Sequence, residues 1–219
     1  MSDYLLPSSD AVTAYSDLRS RMSEMLDGAG DEVALARLPH CPLWTVKDAL
    51  AHMIGVVEDI LIGNVKGVTT AQWTQAQVDR HRSDSLSDLF RIWNELMPKF
   101  EGIIGGIPQP TLSQFVLDQV SHEHDVRAAL GRYGAQDSLA VAVAGGFWRH
   151  SLSNDHRPRI ASLAISEGDE FCFVRSLSGR RSRVQIAQCG IDADAVAEFL
   201  ATSPFSIPEE DIFEDASPQ

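Results

Sequence analysis

The chain has 219 residues, of which 44% are hydrophobic and 22% are charged, enough to bury one large domain or a medium domain with a small companion. With 18 Lys and Arg against 31 Asp and Glu, the net charge is -13, which disfavours nucleic acid and anionic membrane surfaces as partners. The first residues lack the basic and apolar segments of a secretory signal, and no stretch has the length of a membrane span. We therefore expect a cytoplasmic protein.

Helical periodicity dominates the chain up to residue 131. Apolar residues recur at three- and four-residue steps in four segments, which we predict as helices: residues 10–27, 45–61, 85–100 and 111–130. Thr45 and Asp48 form a capping-box pattern at the start of the second helix, Ser85 suits the N-cap of the third, and Gly131 suits the end of the fourth. The second helix has almost no polar face, so we expect it at the centre of a bundle.

The pattern changes after Gly134. Residues 139–150 predict one more helix, apolar or alternating runs predict strands at 160–165, 171–177 and 184–187, and a short helix is expected at 192–201. The acidic, proline-containing segment 203–219 is expected to be mobile. The predicted fold class is mainly α, with a four-helix bundle over residues 1–134 and a small α+β domain with an acidic tail over residues 135–219.

The cysteines are Cys41, Cys172 and Cys189. An odd number without a CxxC pair is typical of a reducing compartment, and it predicts neither a disulfide framework nor a cysteine-based zinc site. None of the three lies beside an obvious base or basic patch, so no cysteine nucleophile is predicted.

Asp118 and His122 are the first candidates for chemistry. They are four residues apart on a predicted helix, so their side chains differ by about 40° around the helix axis and can share one ion. His52, on the central apolar helix, is the candidate third ligand. Two histidines and a carboxylate would hold a divalent cation such as Zn²⁺ and leave one position open. Spacing alone leaves two other interpretations open, a hydrogen-bonded core histidine and a surface Asp–His pair.

Neighbouring polar residues extend this hypothesis. His124 lies about 200° around the helix from His122, so the two histidines cannot easily bind one ion. Asp125 is on the same side as His122 and suits either a second-shell contact or a contact between helices. The arginines of a predicted basic turn, Arg180, Arg181 and Arg183, could hold a carboxylate or phosphate of a substrate, or could be a solvated hairpin end.

Two motifs and the residues between them resemble a known family. The first motif comprises Pro42, Trp44, Thr45, Val46, Asp48 and His52; Trp73 and Gln77 follow; the second comprises Asp118, His122, Glu123, Asp125, Arg127, Leu130 and Gly131. This pattern is similar to the mycothiol-dependent maleylpyruvate isomerase family, which belongs to the DinB-like metal-binding four-helix bundles. The resemblance implies that His52, Asp118 and His122 bind the metal, with Asp125 and Arg127 in the second shell. The family's isomerases often have Glu where this chain has Asp118, whose side chain is one methylene shorter.

The resemblance also implies a reaction. The cofactor would be a divalent metal, usually Zn²⁺, with Ni, Fe and Mn as other candidates, and mycothiol or another low-molecular-weight thiol would be the cosubstrate. A metal-bound thiolate would attack a small electrophilic substrate, which makes the protein a thiol transferase or isomerase. Two alternatives remain open: a hydrolase that uses metal-activated water, and a non-catalytic metal-binding or regulatory bundle. Whether the chain forms a homo-oligomer is also left open.

Overall fold

The computed structural model describes residues 4–212 of the chain. Its first part contains α1 (Ser8–Leu26), α2 (Asp31–Ala34), β1 (Arg37–Leu38), β2 (Cys41–Thr45), α3 (Val46–Ile62), α4 (Ala71–Arg80), α5 (Leu86–Ile104) and α6 (Thr111–Leu130). The two strands pair antiparallel in a small sheet directly before α3. The prediction of a mainly α fold is confirmed. Among residues 4–212, no helix has both the length and the apolar character that crossing a membrane requires.

The region after residue 134 is helical as well. It contains α7 (Leu139–Ser153), α8 (Pro158–Ala161), a 3₁₀ turn (Ser162–Ile165), α9 (Glu170–Leu177), α10 (Arg183–Gln188) and α11 (Ala193–Leu200). The strands predicted at 160–165, 171–177 and 184–187 are therefore wrong. The small α+β domain is wrong with them, because the part of this region that the structure describes contains helices and loops only.

Local capping explains why these runs are helices. The side chain of Asp169 accepts a 2.7 Å hydrogen bond from the backbone N–H of Cys172 and so begins α9. Ser182 and Gln185 form a reciprocal capping box at the start of α10. All residues from Phe171 to Leu177 are buried, so this run lacks the polar face that distinguishes a surface helix from a buried strand.

The predicted caps of the earlier helices are present. Thr45 and Asp48 exchange hydrogen bonds at the start of α3, and Ser85 does the same with Asp88 at the start of α5. Gly131 ends α6 in the left-handed conformation, with φ of 60°, which glycine adopts at little cost. These caps fix where α3 and α6 begin or end, and these two helices carry the candidate site.

Four long helices surround a common core. Helix α1 packs against α5 and α6, and α3 packs against the same two helices from the other side. Helix α7 then packs on α6 and α1, and one hydrophobic cluster extends from α1 into α11. The division of the chain at residue 134 stays a prediction, although the core is shared across it.

Two expectations about the C-terminal region are corrected. Cys172 and Cys189 are joined by a disulfide, because α9 and the end of α10 bring their Cα atoms to 6.4 Å, within the usual range for such a bond. The acidic segment is attached as far as residue 212: Ser182 donates a hydrogen bond to Asp211, and Gln185 donates one of 2.8 Å to the carbonyl of Ile212. The remainder of the predicted mobile segment lies outside the described residues.

Candidate metal centre

The three predicted ligands come together between α3 and α6. One donor atom from each of His52, Asp118 and His122 lies within 4.8 Å of the other two. Nε2 of His52 is 3.3 Å from Oδ1 of Asp118, and Nε2 of His122 is 3.9 Å from the same oxygen. Two imidazole nitrogens and one carboxylate oxygen therefore surround a space of the size that a divalent ion needs.

The positions of these side chains follow from the helices that carry them. Helix α3 is buried around most of its circumference, so His52 lies inside the bundle with 2% of its surface exposed. Asp118 and His122 are one turn apart on α6, facing α3. Trp44, at the end of the hairpin, lies against both rings, with centroids 5.3 Å from His52 and 5.5 Å from His122. The tryptophan therefore covers the two histidines from the side of the hairpin.

The donor chemistry of the cluster fits a cation. Nδ1 of His52 is 2.7 Å from the amide oxygen of Gln77, so this nitrogen carries a hydrogen and donates it. In the neutral ring Nε2 then has a lone pair, and it faces a carboxylate oxygen of Asp118, which is also an acceptor. Two acceptors at 3.3 Å need a positive charge between them, which either a proton on Nε2 or a metal ion supplies.

The charges of the cluster respond to this arrangement. Burial would lower the pKa of His52, but the facing carboxylate of Asp118 outweighs it and raises this pKa. Partial burial would raise the pKa of Asp118, but His52 lowers it to about 2. Burial lowers the pKa of His122, so this ring is neutral near pH 7 and its nitrogen is available to a metal. The cluster therefore offers an ionised carboxylate, a neutral histidine and a second histidine whose protonated form the carboxylate favours.

The cluster is reached from the side of Asp118. The side chain of Asp118 is 36% exposed, whereas those of His52 and His122 are 3% and 9% exposed. A cavity of about 790 Å³ elsewhere in the molecule lies between the end of α1 and the start of α5, and its lining includes none of the three donors. An external ligand would therefore approach the donors along the exposed carboxylate.

Asp125, predicted to contact either a metal ligand or another helix, lies beside His122. Its Oδ2 is 3.3 Å from Nδ1 of His122, although the ring N–H does not point at this oxygen well enough for a hydrogen bond. Asp125 is fully buried and accepts hydrogen bonds from Arg175 at 2.7 Å and from Arg180 at 2.9 Å. Burial would raise the pKa of this carboxyl, but the two guanidiniums, led by that of Arg180, hold it well below its usual range. The outer nitrogen of His122 therefore faces a permanent negative charge.

Arg127 has a different position from the one the resemblance implies. It donates hydrogen bonds of 2.9 and 3.0 Å to Oε1 of Glu123, and the other oxygen of Glu123 accepts a 2.7 Å bond from Arg21. These contacts connect α6 to α1. Arg127 therefore contributes to helix packing through Glu123, while Asp125 contacts a ligand directly.

The three arginines of the predicted basic turn separate in the structure. Arg180 reaches Asp125, one side chain away from His122, as described above. The guanidinium of Arg181 lies over the ring of Phe171 at 5.7 Å, and Arg183 is exposed and pairs with Asp194 at 2.9 Å. His124, the rival ligand, also packs against the ring of Phe171, with centroids 4.5 Å apart. Of these three arginines, Arg180 contacts the carboxylate beside His122.

Sequence reasoning missed several groups around the site. Arg175 lies in a segment predicted as a strand, and His40 is in the hairpin, with Nδ1 3.5 Å from Asp125. Burial lowers the pKa of His40 to about 3. Cys41, whose Sγ is 3.9 Å from the same carboxylate, has its pKa raised by burial to about 11. The hairpin gives no periodic signal in the sequence, and the position of these groups depends on where it folds over α6.

Comparisons with known proteins do not assign the chain to a family. No protein-family model, curated protein or solved structure matches it. The similarity to the mycothiol-dependent isomerases therefore rests on the motifs around His52 and His122 alone.

Proposed function

We propose that this protein is a metal-dependent thiol transferase or isomerase. It would bind one divalent metal through His52, Asp118 and His122 and use a low-molecular-weight thiol of the mycothiol type to act on a small electrophile. The observation that carries the proposal is the convergence of two imidazoles and one carboxylate, open to solvent along the carboxylate. Zinc is the metal that we propose, because nitrogen and oxygen donors with a free coordination position are typical of its catalytic sites.

The source of the nucleophile supports an external thiol. The nearest cysteine is Cys41, and its raised pKa keeps it protonated and a poor nucleophile at neutral pH. When bound, the metal supplies the Lewis acidity that lowers the pKa of a thiol and makes its thiolate available near pH 7. The motifs that resemble the mycothiol-dependent family favour this choice over metal-activated water.

The chain's own residues have three roles in this proposal. His52 and His122 hold the ion from inside the bundle, where burial keeps them from exchanging with water. Asp118 holds it from the exposed side, and its carboxylate is one methylene shorter than the Glu of the related isomerases. Trp44 covers both rings and excludes water from the hairpin side, so the incoming thiol and substrate are confined to the side of Asp118.

Cobalt substitution tests the use of a thiol. The protein is loaded with Co²⁺, mycothiol is added, and the near-ultraviolet spectrum is recorded, with the His122→Ala variant as the control. We expect a sulfur-to-metal charge-transfer band in the wild type and none in the variant. If the cobalt protein shows no change with mycothiol, cysteine or other cellular thiols at millimolar concentration, thiol transfer is refuted and metal-activated water becomes the better proposal. A wild-type protein that binds no divalent metal would refute both.

A further inference from the structure

Behind His52, on the side away from Asp118, lies a row of hydrogen-bonded groups. The amide nitrogen of Gln77 donates a 2.7 Å bond to Oδ2 of Asp59. The other oxygen, Oδ1, accepts bonds of 2.7 Å from Arg80 and 3.0 Å from Asn64. Gln77 and Asp59 are almost completely buried. We call these three residues, Arg80, Asp59 and Gln77, the amide chain, because the side-chain amide of Gln77 connects Asp59 to His52.

The amide of Gln77 has one acceptable orientation. Asp59 can only accept at this contact, so the NH₂ group of Gln77 must face it. The amide oxygen must then face His52, where it is 2.7 Å from Nδ1. Turning the amide by 180° would place an oxygen against the carboxylate of Asp59 and leave a buried acceptor without a donor, which is unfavourable in a site that excludes water.

Close packing of α4 on α3 holds Gln77 in place. Gly55 lies one turn after His52 on α3, and a Cβ atom at this position would be 2.5 Å from Cβ of Gln77. No real side chain tolerates that distance, so the absence of a side chain at Gly55 allows the glutamine to approach. The amide chain is therefore a built feature of the contact between α3 and α4, and it ends on a candidate metal ligand.

We propose that the amide chain fixes the tautomer of His52, with the hydrogen on Nδ1 and the lone pair of Nε2 directed at the metal. This inference rests on the proposed metal centre and adds the residues that prepare one of its ligands. Gln77 acts as a positioning residue, and Asp59 acts through it. In metal sites, loss of such an outer hydrogen bond typically weakens metal binding about 10–100-fold.

The Asp59→Asn variant changes the hydrogen-bond pattern without changing the shape of the side chain. The bonds from Arg80 and Asn64 keep the amide oxygen of the new residue where Oδ1 is now, so its NH₂ group takes the place of Oδ2. Gln77 must then turn its oxygen towards residue 59 and its NH₂ group towards His52. Nδ1 becomes an acceptor, and the hydrogen moves to Nε2, where it blocks the metal.

The first measurement is the tautomer of His52 in metal-free protein. Long-range ¹H–¹⁵N spectra distinguish the protonated from the unprotonated imidazole nitrogen. They are recorded at a pH where the ring of His52 is neutral, and the signals of His52 are identified by their absence in His52→Ala. We expect the hydrogen on Nδ1 in the wild type and on Nε2 in Asp59→Asn. The matched control is Asp79→Asn, the same change on the exposed face of α4, where the aspartate pairs with Gln75 and Arg82. This control should keep the wild-type tautomer.

The second measurement is zinc affinity by competition with a chelator. We expect about 10–100-fold weaker binding in Asp59→Asn and wild-type affinity in Asp79→Asn. Three results would overturn the proposal. The wild type could carry the hydrogen on Nε2, Asp59→Asn could keep the wild-type tautomer, or Asp59→Asn could change the tautomer and still bind zinc with wild-type affinity. If Asp59→Asn does not fold, Gln77→Met replaces it. This change removes the acceptor at Nδ1 and leaves Asp118 facing Nε2, so the hydrogen is then expected on Nε2. If the wild type binds no zinc, the proposed function fails, while the spectra still decide whether the amide chain sets the tautomer.

Discussion

The contact between Arg175 and Asp125 gives the sharpest prediction about stability. Arg175 is fully buried in α9 and donates hydrogen bonds of 2.7 Å to Asp125 and 3.0 Å to the carbonyl of Ser121, both on α6. Replacement by Met keeps most of the volume but leaves a buried carboxylate with one guanidinium fewer. Breaking a buried ion pair from one side typically costs about 3–5 kcal/mol, and we expect the lower end because Arg180 remains on Asp125.

Urea unfolding of Arg175→Met measures this cost. At a slope of about 3 kcal/mol per molar, a loss of about 3 kcal/mol lowers the urea midpoint by about 1 M. The matched control is Arg183→Met, which removes an exposed arginine that pairs with Asp194. Such surface pairs typically contribute about 0–1 kcal/mol, so the midpoint of the control should fall by no more than about 0.3 M. Equal midpoints for the two variants would refute the importance of this buried contact.

Three further predictions concern pH and metal binding. Hydrogen bonds to Glu58 and Asp84 raise the pKa of His81, so His81 stabilises the fold fully below pH 6.5 and less as the pH rises through its folded pKa. Urea unfolding of His81→Gln against wild type should give a difference that shrinks with rising pH, and a constant difference would contradict this. The facing carboxylate of Asp118 raises the pKa of His52 against the effect of burial, so zinc binding should release a proton from His52. The heat of zinc binding measured by calorimetry should therefore vary with the ionisation enthalpy of the buffer. Because Trp44 lies on both histidine rings, Co²⁺ should quench tryptophan fluorescence, and Trp44→Phe should lose most of this quenching if the ion binds there.

The main helices could be predicted because their signals are local. Thr45 with Asp48 and Ser85 with Asp88 satisfy the free N–H groups of α3 and α5, and Gly131 ends α6 at the expected residue. The spacing of Asp118 and His122 fixes their common face once α6 is helical. The position of His52 near these two residues could be predicted because α3 is apolar, and an apolar helix is expected at the centre of the bundle.

The C-terminal strands were wrong for an equally local reason. The run from Phe171 to Leu177 is short, mostly apolar and buried on every side, so its periodicity cannot distinguish a strand from a helix. The deciding groups were the caps at Asp169 and Ser182, which the strand interpretation passed over. Arg175 was consequently placed in a strand, although it lies in a helix and is a buried partner of Asp125.

The groups that contact the candidate metal ligands could not be predicted from the sequence. Gln77 meets His52 only because α4 packs on α3 at Gly55, and α4 was not among the predicted helices. Asp59 lies seven residues after His52 on α3. In the sequence it is one polar residue on an otherwise apolar helix, and nothing indicates a contact with Gln77. The contact depends on tertiary packing, and neither residue type nor periodicity encodes it.

Zinc content after purification without a histidine tag tests the central claim most directly. Wild type, His52→Ala and His122→Ala are compared with His124→Ala, a buried histidine of the same helix that packs on Phe171 instead of the cluster. We expect one zinc per chain in wild type and in His124→Ala, and zinc loss in the other two variants. Full zinc content in His122→Ala, or zinc loss in His124→Ala alone, would contradict the metal centre proposed for α3 and α6.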